Sequence, residues 1–191
     1  DAEIVLEGHI YPGETAQEGP FASISYYTPR RAGAVYRVEC ITQRKDPIMP
    51  FTVEGTRSSD GMCLLSMMHS AELTALLRSR GVPVKYVTLP VEGRLVVAVV
   101  CLAAQPIPGL QGRASDLVFG HSSFVRQIIF VDPDVDSEDV ILAFTDRTFK
   151  ANVIRDYCIT PVIGKPLGLT ENHDFSSGLT STMYIDATWR L

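Results

Sequence analysis

The spacing of apolar residues changes once along the chain, near residue 59, and this change most constrains the fold. Before it, apolar residues form short runs of strand length between Gly and Pro turns, which is typical of β-structure. After it, apolar residues recur at helical spacing, and Gly81 provides a stop signal. They are Met62, Leu65, Met68, Leu73, Leu76 and Leu77. The sequence predicts an all-β first part and a helix over about residues 60–80.

Within the first part, strands are predicted over residues 1–10, 34–41 and 49–53, with turns at 11–13 and 29–33. After the helix, apolar runs at 84–89, 95–102 and 127–131 have strand length, and helices are predicted over 113–119 and 137–148. From Ile159 onward Pro, Gly, Asn and Ser dominate. We expect this tail to lie over a surface or a neighbouring subunit, while the preceding half is α/β.

Composition excludes several classes of protein. The chain has 191 residues, 46% of them hydrophobic, which is enough for one sizeable core or two small ones. The longest apolar run, residues 95–104, is about half of a membrane span, and no charged-then-apolar leader stands at the start. A net charge of −5 without a basic stripe argues against a nucleic-acid partner. We therefore expect a cytoplasmic protein that binds neither membrane nor nucleic acid.

Two further expectations concern the cysteines and the first residue of the chain. The four cysteines show no Cys-x-x-Cys spacing, so neither a zinc knuckle nor a redox pair is indicated, and buried free thiols in a reducing compartment are expected. The chain begins at Asp1, within a predicted strand and without a methionine. We interpret it as a fragment.

The best candidate for chemistry is Glu18, within the stretch 14–27. Gly19-Pro20 fixes a turn directly after it, since proline restricts φ and glycine tolerates conformations that other residues do not. A small and aromatic run follows at 21–27. A carboxyl group at the mouth of such an apolar strand is suited to act as a general acid. The alternative, a solvated glutamate in a turn, is favoured when the spacing alone is considered.

Segments 1–8, 13–21, 40–48 and 89–93, in this order, resemble the UbiD family of prenylated-flavin decarboxylases, and 132–136, 143–148 and 185–188 continue the similarity. The family's proteins are considerably longer, and this chain resembles their C-terminal portion. The resemblance implies an α+β fold. Residues 1–56 would be the end of the flavin-binding split β-barrel, 57–82 a linking helix, 83–160 an α/β oligomerisation domain and 161–191 a C-terminal tail.

The resemblance also implies a function: reversible, non-oxidative decarboxylation of an aromatic or α,β-unsaturated carboxylic acid. The cofactors would be prenylated FMN with a divalent metal (Mn or Mg) and K, whose ligands are expected outside this chain. Glu18 falls on the first glutamate of the family's Glu-Gly-Pro-Phe-Gly-Glu pattern and would donate or accept the proton. The second glutamate is absent, because Ala22-Ser23 replaces Gly-Glu. The arginine of the family's Glu-Arg-Glu network would lie upstream.

Further site residues come from the same resemblance. Ile24, Leu65 and Leu167 would line the substrate pocket, and Lys165 would add a cation that favours an acidic or oxygen-rich substrate tail. Leu65 could equally be a core leucine of an amphipathic helix, and Lys165 a solvated loop lysine. His121 and Ser122 fall where many members have His-Lys in contact with the flavin. A lone histidine at a helix end is otherwise more often structural.

No metal ligand is assigned within the chain. The acids of 132–136 resemble the start of a calcium loop, but Ser137 and Ala143 replace the Gly and Glu that such a loop requires. We interpret these acids as the end of a strand and the cap of the following helix.

The expected partners are a small carboxylic-acid substrate, further copies of the chain through residues 85–160, and the N-terminal portion of the same enzyme. Two other classes stay open. One is a non-catalytic oligomerisation subunit, in which Ser23 and Ser122 mark decay of the site. The other is a flavin reductase, since split barrels also serve that chemistry.

Overall fold

The structure is a computed structural model of the chain. It describes residues 2–22, 27–28, 30–52, 59–103, 107–137, 139, 142–143, 145, 151–152, 154, 156–163 and 179–188. Within these residues lie two antiparallel ribbons, a five-stranded sheet and two α-helices. The predicted α+β class is confirmed.

The first ribbon pairs β1 (Ile4–Glu18) with β4 (Arg31–Gln43), from Ile4 opposite Gln43 to Glu18 opposite Arg31. The register is irregular between Ile10 and Thr15, and Gly13 there has a φ of +83°. We expected a strand end and a turn at 11–13, which is wrong. The left-handed conformation that glycine adopts readily lets the strand bend and then resume its pairing.

Two other expectations in this region are also wrong. The turn predicted at 29–33 extends too far along the chain, because residues 31–33 already pair with β1 in the ribbon. The strand predicted at 49–53 is not formed by its described residues, 49–52. Pro47 and Pro50 lack the backbone N–H that a strand would donate.

A shorter ribbon follows the end of β1. It pairs β2 (Phe21–Ala22) with β3 (Tyr27–Thr28). The two ribbons are joined by a cis Gly19–Pro20 peptide, and Gly19 has a φ of +83°. The prediction that this glycine adopts a conformation unsuited to other residues is confirmed.

Helix α1 (Asp60–Ser79) matches the predicted helix closely. The side chain of Ser59 caps it by accepting a hydrogen bond from the Met62 N–H at 3.2 Å, and Gly81, with a φ of +73°, follows its end. Met62, Leu73 and Leu77 are buried as the periodicity predicts. Met68 is instead 57% exposed.

The five-stranded sheet contains β5 (Val84–Thr88), β6 (Val97–Leu102), β7 (Gln127–Val131), β8 (Tyr157–Ile163) and β9 (Leu179–Asp186), in the order β5-β6-β7-β9-β8. The three inner strands are parallel, and both edge strands are antiparallel to their neighbours. Helix α2 (Leu110–His121) connects β6 to β7. The sequence predicted the first three strands and α2 with small differences in bounds.

The C-terminal part differs from its prediction. We expected a tail over a surface, but β9 is an interior strand between β7 and β8. Thr182 and Ile185, which lie on opposite faces of β9, are both buried, as expected for an interior strand. Most of the helix predicted at 137–148 lies outside the described residues, and the domain boundaries stay predictions.

The sheet is buried on both faces because the side chains of its inner strands alternate between two cores. Ala98, Val100 and Leu102 of β6 contact α1 and α2 in one core, while Val97, Val99 and Cys101 belong to the other. All six residues of β6 are buried, as expected for an inner strand of a largely parallel sheet.

Hydroxyl groups on α1 cover the outer edge of β5. Thr74 accepts from the Val87 N–H and Ser70 from the Leu89 N–H, both at 2.9 Å, and Ser66 donates to the Leu89 carbonyl. One helical turn beyond Thr74, Arg78 donates to the Val84 carbonyl at 3.2 Å. These side chains satisfy backbone groups that a sixth strand would otherwise pair, and they therefore protect the edge.

All four cysteines are free thiols, but only Cys101 is buried, whereas Cys40 and Cys63 are exposed. The expectation of four buried thiols is wrong for these two. Among the described helices, none has the length and apolar character needed to cross a bilayer.

Candidate active site

Glu18 lies at the point where the long ribbon closes. It is the last residue of β1 and stands opposite Arg31, the first residue of β4. The Arg31 Nε–H donates to Glu18 Oε1 at 2.5 Å. The Glu18 side chain is 37% exposed and that of Arg31 is 71% exposed. The carboxyl group is thus held by a cation of the opposing strand and is still accessible from solvent.

Gly33 forms the surface on which the Glu18 side chain lies. A Cβ atom built on Gly33 would come within 2.8 Å of Glu18 Cδ and 3.0 Å of Glu18 Oε2. Real Cβ atoms do not approach a carboxyl carbon so closely. The absence of a side chain at position 33 therefore provides the space that the carboxyl group fills.

Other ion pairs cross the same ribbon. Arg37 donates through Nε and Nη2 to Glu14, with the Nε–Oε1 distance 3.0 Å, and this bond raises the pKa of the Arg37 guanidinium. Arg44 contacts Glu3 at 2.9 Å, nearer the start of β1. The Glu18 pair thus belongs to a series of cross-strand pairs, and it is distinguished by the Gly-Pro turn that follows it.

His121 and Ser122, the predicted flavin contacts, are engaged within the chain. His121 Nε2 lies 2.7 Å from Glu72 Oε1, and His69 Nδ1 lies 3.1 Å from Glu72 Oε2. Both hydrogen bonds lower the pKa of Glu72, and the one with His121 has the larger effect. The Ser122 hydroxyl accepts from the Phe124 and Val125 N–H groups at 3.3 Å.

In this arrangement His121 Nε2 and the Ser122 hydroxyl already have hydrogen-bond partners within the chain. The histidine joins α2 to α1, and the serine, which is 8% exposed, orders its own loop. Their assignment to cofactor binding stays a prediction, and no chemical step is assigned to them here.

The predicted pocket residues are only partly covered by the structure. Leu65 on α1 is half-buried and packs against the core beneath the helix, as in the alternative of a core leucine. Ile24, Lys165 and Leu167 lie outside the described residues. Their roles stay predictions.

The acidic segment 132–136 is held by donors from the neighbouring strands. Lys85 Nζ donates to the Pro133 carbonyl at 3.1 Å, and the Tyr86 hydroxyl donates to the Val135 carbonyl at 2.7 Å. Cys101 Sγ lies 3.4 Å from the carbonyl oxygen of Asp132. Burial raises the pKa of Tyr86, so this phenol stays a hydrogen-bond donor. Within the described part of the chain, no group of three or more His, Cys, Asp or Glu is arranged to hold a metal ion.

Sequence reasoning missed Arg31, Gly33 and Glu72. Arg31 and Gly33 meet Glu18 only through the register of the ribbon, and the predicted turn at 29–33 concealed that pairing. Glu72 and His69 are three residues apart on a helix, which was a usable signal. The contact with His121 depends on how the two helices pack.

Family models match both parts of the chain. Residues 1–57 match the UbiD model, described as a 3-octaprenyl-4-hydroxybenzoate carboxy-lyase Rift-related domain, and residues 63–187 match that family's C-terminal domain. The chain belongs to the UbiD family. The resemblance inferred from the sequence motifs is therefore confirmed.

Solved structures of the same class share the fold. The UbiD-class enzyme HmfF from Pelotomaculum thermopropionicum, in complex with FMN, superposes with a TM-score of 0.80 at 29% identity over 99% of this chain. Vanillic acid decarboxylase from Sedimentibacter hydroxybenzoicus has a TM-score of 0.80 at 23% identity, over 99% of this chain. The 3,4-dihydroxybenzoic acid decarboxylase of Klebsiella pneumoniae has a TM-score of 0.77 at 19% identity, over 97% of this chain. The last two show the fold alone.

The chain spans less than half the length of these proteins. It covers 42% of the HmfF chain, 40% of the vanillic acid decarboxylase chain and 42% of the dihydroxybenzoic acid decarboxylase chain.

Proposed function

We propose that the chain is the C-terminal part of a UbiD-class enzyme that reversibly decarboxylates an aromatic or α,β-unsaturated carboxylic acid, with Glu18 exchanging the proton. One observation carries the proposal. Within the Glu18-Gly19-Pro20-Phe21 sequence of the family-matched region, Glu18 is half-exposed at the closed end of the ribbon and is held there by Arg31.

The reaction needs two things from an enzyme. When the bond between the substrate carbon and its carboxylate breaks, CO₂ leaves and the electron pair stays on the carbon. Prenylated FMN, when bound, supplies the electron sink for that pair. The chain's own contribution is a proton for the same carbon, and a positioned, accessible carboxyl group is suited to deliver it. In the reverse direction the Glu18 carboxylate removes that proton.

Most of the cofactor site is proposed to lie outside this chain. The related structures are described with FMN and with prenylated FMN, and the chain covers 42% and 40% of those two proteins. His121 and Ser122 are engaged with Glu72 and with their own loop. We therefore assign the flavin, the divalent metal and K mainly to the portion that precedes residue 1 in the longer relatives.

The long ribbon is the proposed contact with that preceding portion. A two-stranded ribbon is marginal by itself in water. Its side chains include large apolar groups that are exposed in the described structure. They are Val5, Leu6, Ile10, Tyr11, Tyr36, Val38 and Ile41. We call the chain together with the preceding portion the complete enzyme.

Glu18→Gln tests the proposal in the complete enzyme, reconstituted with prenylated FMN and assayed for CO₂ release on a panel of aromatic and unsaturated acids. Turnover should fall about 10²- to 10⁴-fold, because the amide keeps the size but cannot transfer the proton. Flavin absorbance should be unchanged.

The matched control is Glu14→Gln, on the same strand and also paired with an arginine. It should retain turnover. A Glu18→Gln enzyme within about threefold of the wild type would refute the assignment.

The second candidate is a non-catalytic assembly subunit. It is favoured by the engagement of His121 and Ser122 within the chain. Failure of the complete, flavin-loaded enzyme to release CO₂ from every acid of the panel, together with stable association of its subunits, would support this candidate. In either case the selection of an acidic substrate tail by Lys165 stays a prediction.

A further inference from the structure

We infer that Arg31 and Gly33 of β4 position the Glu18 carboxyl group for proton exchange, Arg31 through a direct hydrogen bond and Gly33 through the space it leaves. The inference rests on the proposed function of Glu18 and deepens it. Both are positioning residues, because they act through Glu18 and not on the substrate.

The first step of the argument is the hydrogen bond. Arg31 Nε–H meets one oxygen, Glu18 Oε1, at 2.5 Å, and the second oxygen, Oε2, faces Gly33. The Arg37 side chain, by contrast, uses two nitrogens on Glu14 and contacts both carboxylate oxygens. Arg31 therefore fixes the orientation of the Glu18 carboxyl group and leaves its second oxygen without a guanidinium contact from Arg31.

The second step is the space above Gly33. Position 33 lies two residues along β4 from Arg31, so both are on the same face of the strand. A Cβ atom there would approach Glu18 Oε2 to 3.0 Å and Glu18 Cγ to 3.2 Å. Gly33 does not have a positive φ, so alanine is compatible with its backbone. Gly33→Ala therefore displaces the carboxyl group without changing charge or straining the strand.

The third step is the consequence for the reaction. Proton transfer requires the carboxyl oxygen to lie within hydrogen-bond reach of the substrate carbon, and a displacement of about 1 Å can cost about 10²-fold in rate. Arg31 and Gly33 thus act on the rate through the position of the proton carrier.

The experiment compares Arg31→Met, Arg31→Lys and Gly33→Ala with Arg37→Met in the complete, flavin-loaded enzyme. Arg31→Met and Gly33→Ala should lower kcat by about tenfold to a hundredfold with little change in KM or flavin absorbance. Arg31→Lys should recover part of the loss. Arg37→Met removes an arginine of the same strand that is also paired with a glutamate, and it should leave kcat unchanged.

The split between kcat and KM separates positioning from a merely structural role. A purely structural defect would lower the melting temperature and weaken flavin binding together with activity in Arg31→Met and Gly33→Ala, and that result would overturn the inference.

A second measurement does not depend on activity. In ¹⁵N spectra of arginine-labelled protein, Glu18→Gln should shift the Nε–H resonance of Arg31 and leave that of Arg37 in place. An unshifted Arg31 resonance, or kcat within about threefold of wild type in both Arg31→Met and Gly33→Ala, would overturn the inference. If Glu18→Gln still abolishes turnover in that case, the proposed function survives alone. If Glu18→Gln is active, the proposed function fails whatever the spectra show.

Discussion

Glu72 shows how one carboxylate can join two helices. It accepts from His121 of α2 through one oxygen and contacts His69 of its own helix through the other. The His69 ring also packs on Phe124, with ring centroids 5.4 Å apart. All three polar side chains are partly exposed, so each bond is worth little alone. Together they join α1 to the C-terminal end of α2.

The lowered pKa of Glu72 predicts a pH dependence of stability. Its ordinary value is 4.5, and in the folded protein it is lower. The contribution of the carboxylate is therefore fully present above about pH 4.5 and is lost as the pH falls through the folded value. Glu72→Gln should lower the urea midpoint near neutral pH and converge with wild type in acid. The exposed Glu7→Gln is the control, and equal curves for the two variants would contradict the prediction.

At the scale of single residues, sequence similarity pointed to the proposed proton carrier but not to its neighbours. Glu18 stands out because Gly19-Pro20-Phe21 follows it. Arg31 and Gly33 are common residues in a predicted turn, and their contact with Glu18 exists only in one register of the ribbon. A shift of one residue would turn both to the opposite face. Local patterns do not specify such a register.

The elements of the fold were predictable where their signals are local. Helix α1 has a serine cap, regular apolar spacing and a terminal glycine, and its predicted bounds agree with the structure. The predicted first strand ended before β1 does, because Gly13 is a turn signal both where a chain reverses and where it only bends. Strand β9 was missed because its Ser and Thr residues resemble a loop, and its burial depends on pairing with β7 and β8.

The hydroxyl groups along α1 lead to a prediction for one element. Thr74→Val removes the acceptor of the Val87 N–H and keeps the shape of the side chain. The unpaired amide should lower the free energy of unfolding by about 1–3 kcal/mol. The control is Ser79→Ala, whose hydroxyl donates to the Leu76 carbonyl at the exposed end of the helix. Chemical denaturation measures the free energy of unfolding of both variants. Equal losses would show that covering the β5 edge stabilises the protein no more than the exposed hydroxyl of Ser79 does.

At the scale of the whole molecule, the two parts of the chain differ in how much apolar surface they bury. The sheet places a core on each of its faces, and every side chain of β6 is buried. The long ribbon leaves most of its side chains exposed on both strands. Scattered exposed apolar groups are ordinary, but their concentration along one ribbon supports the proposed contact surface. The related proteins, of which this chain spans about 40%, are long enough to supply the partner.

The last prediction tests that contact through one cross-strand pair. Leu6 and Ile41 are directly opposite each other in the ribbon and are 51% and 60% exposed. In the complete enzyme, Leu6→Asp combined with Ile41→Lys should lower the melting temperature, because an opposed charged pair would have to lose its water on contact with an apolar surface. In the isolated chain the same pair stays in solvent and can form an ion pair, so stability should change little.

The matched control for this prediction is Ile154→Lys, at a side chain that is 91% exposed and far along the sequence. It should leave the melting temperature of the complete enzyme unchanged. Thermal unfolding of the complete enzyme and of the isolated chain, with each variant, gives the comparison. If Leu6→Asp with Ile41→Lys lowers the melting temperature of the complete enzyme as little as Ile154→Lys does, the ribbon does not contact the preceding portion at this pair. Its apolar groups then require another partner.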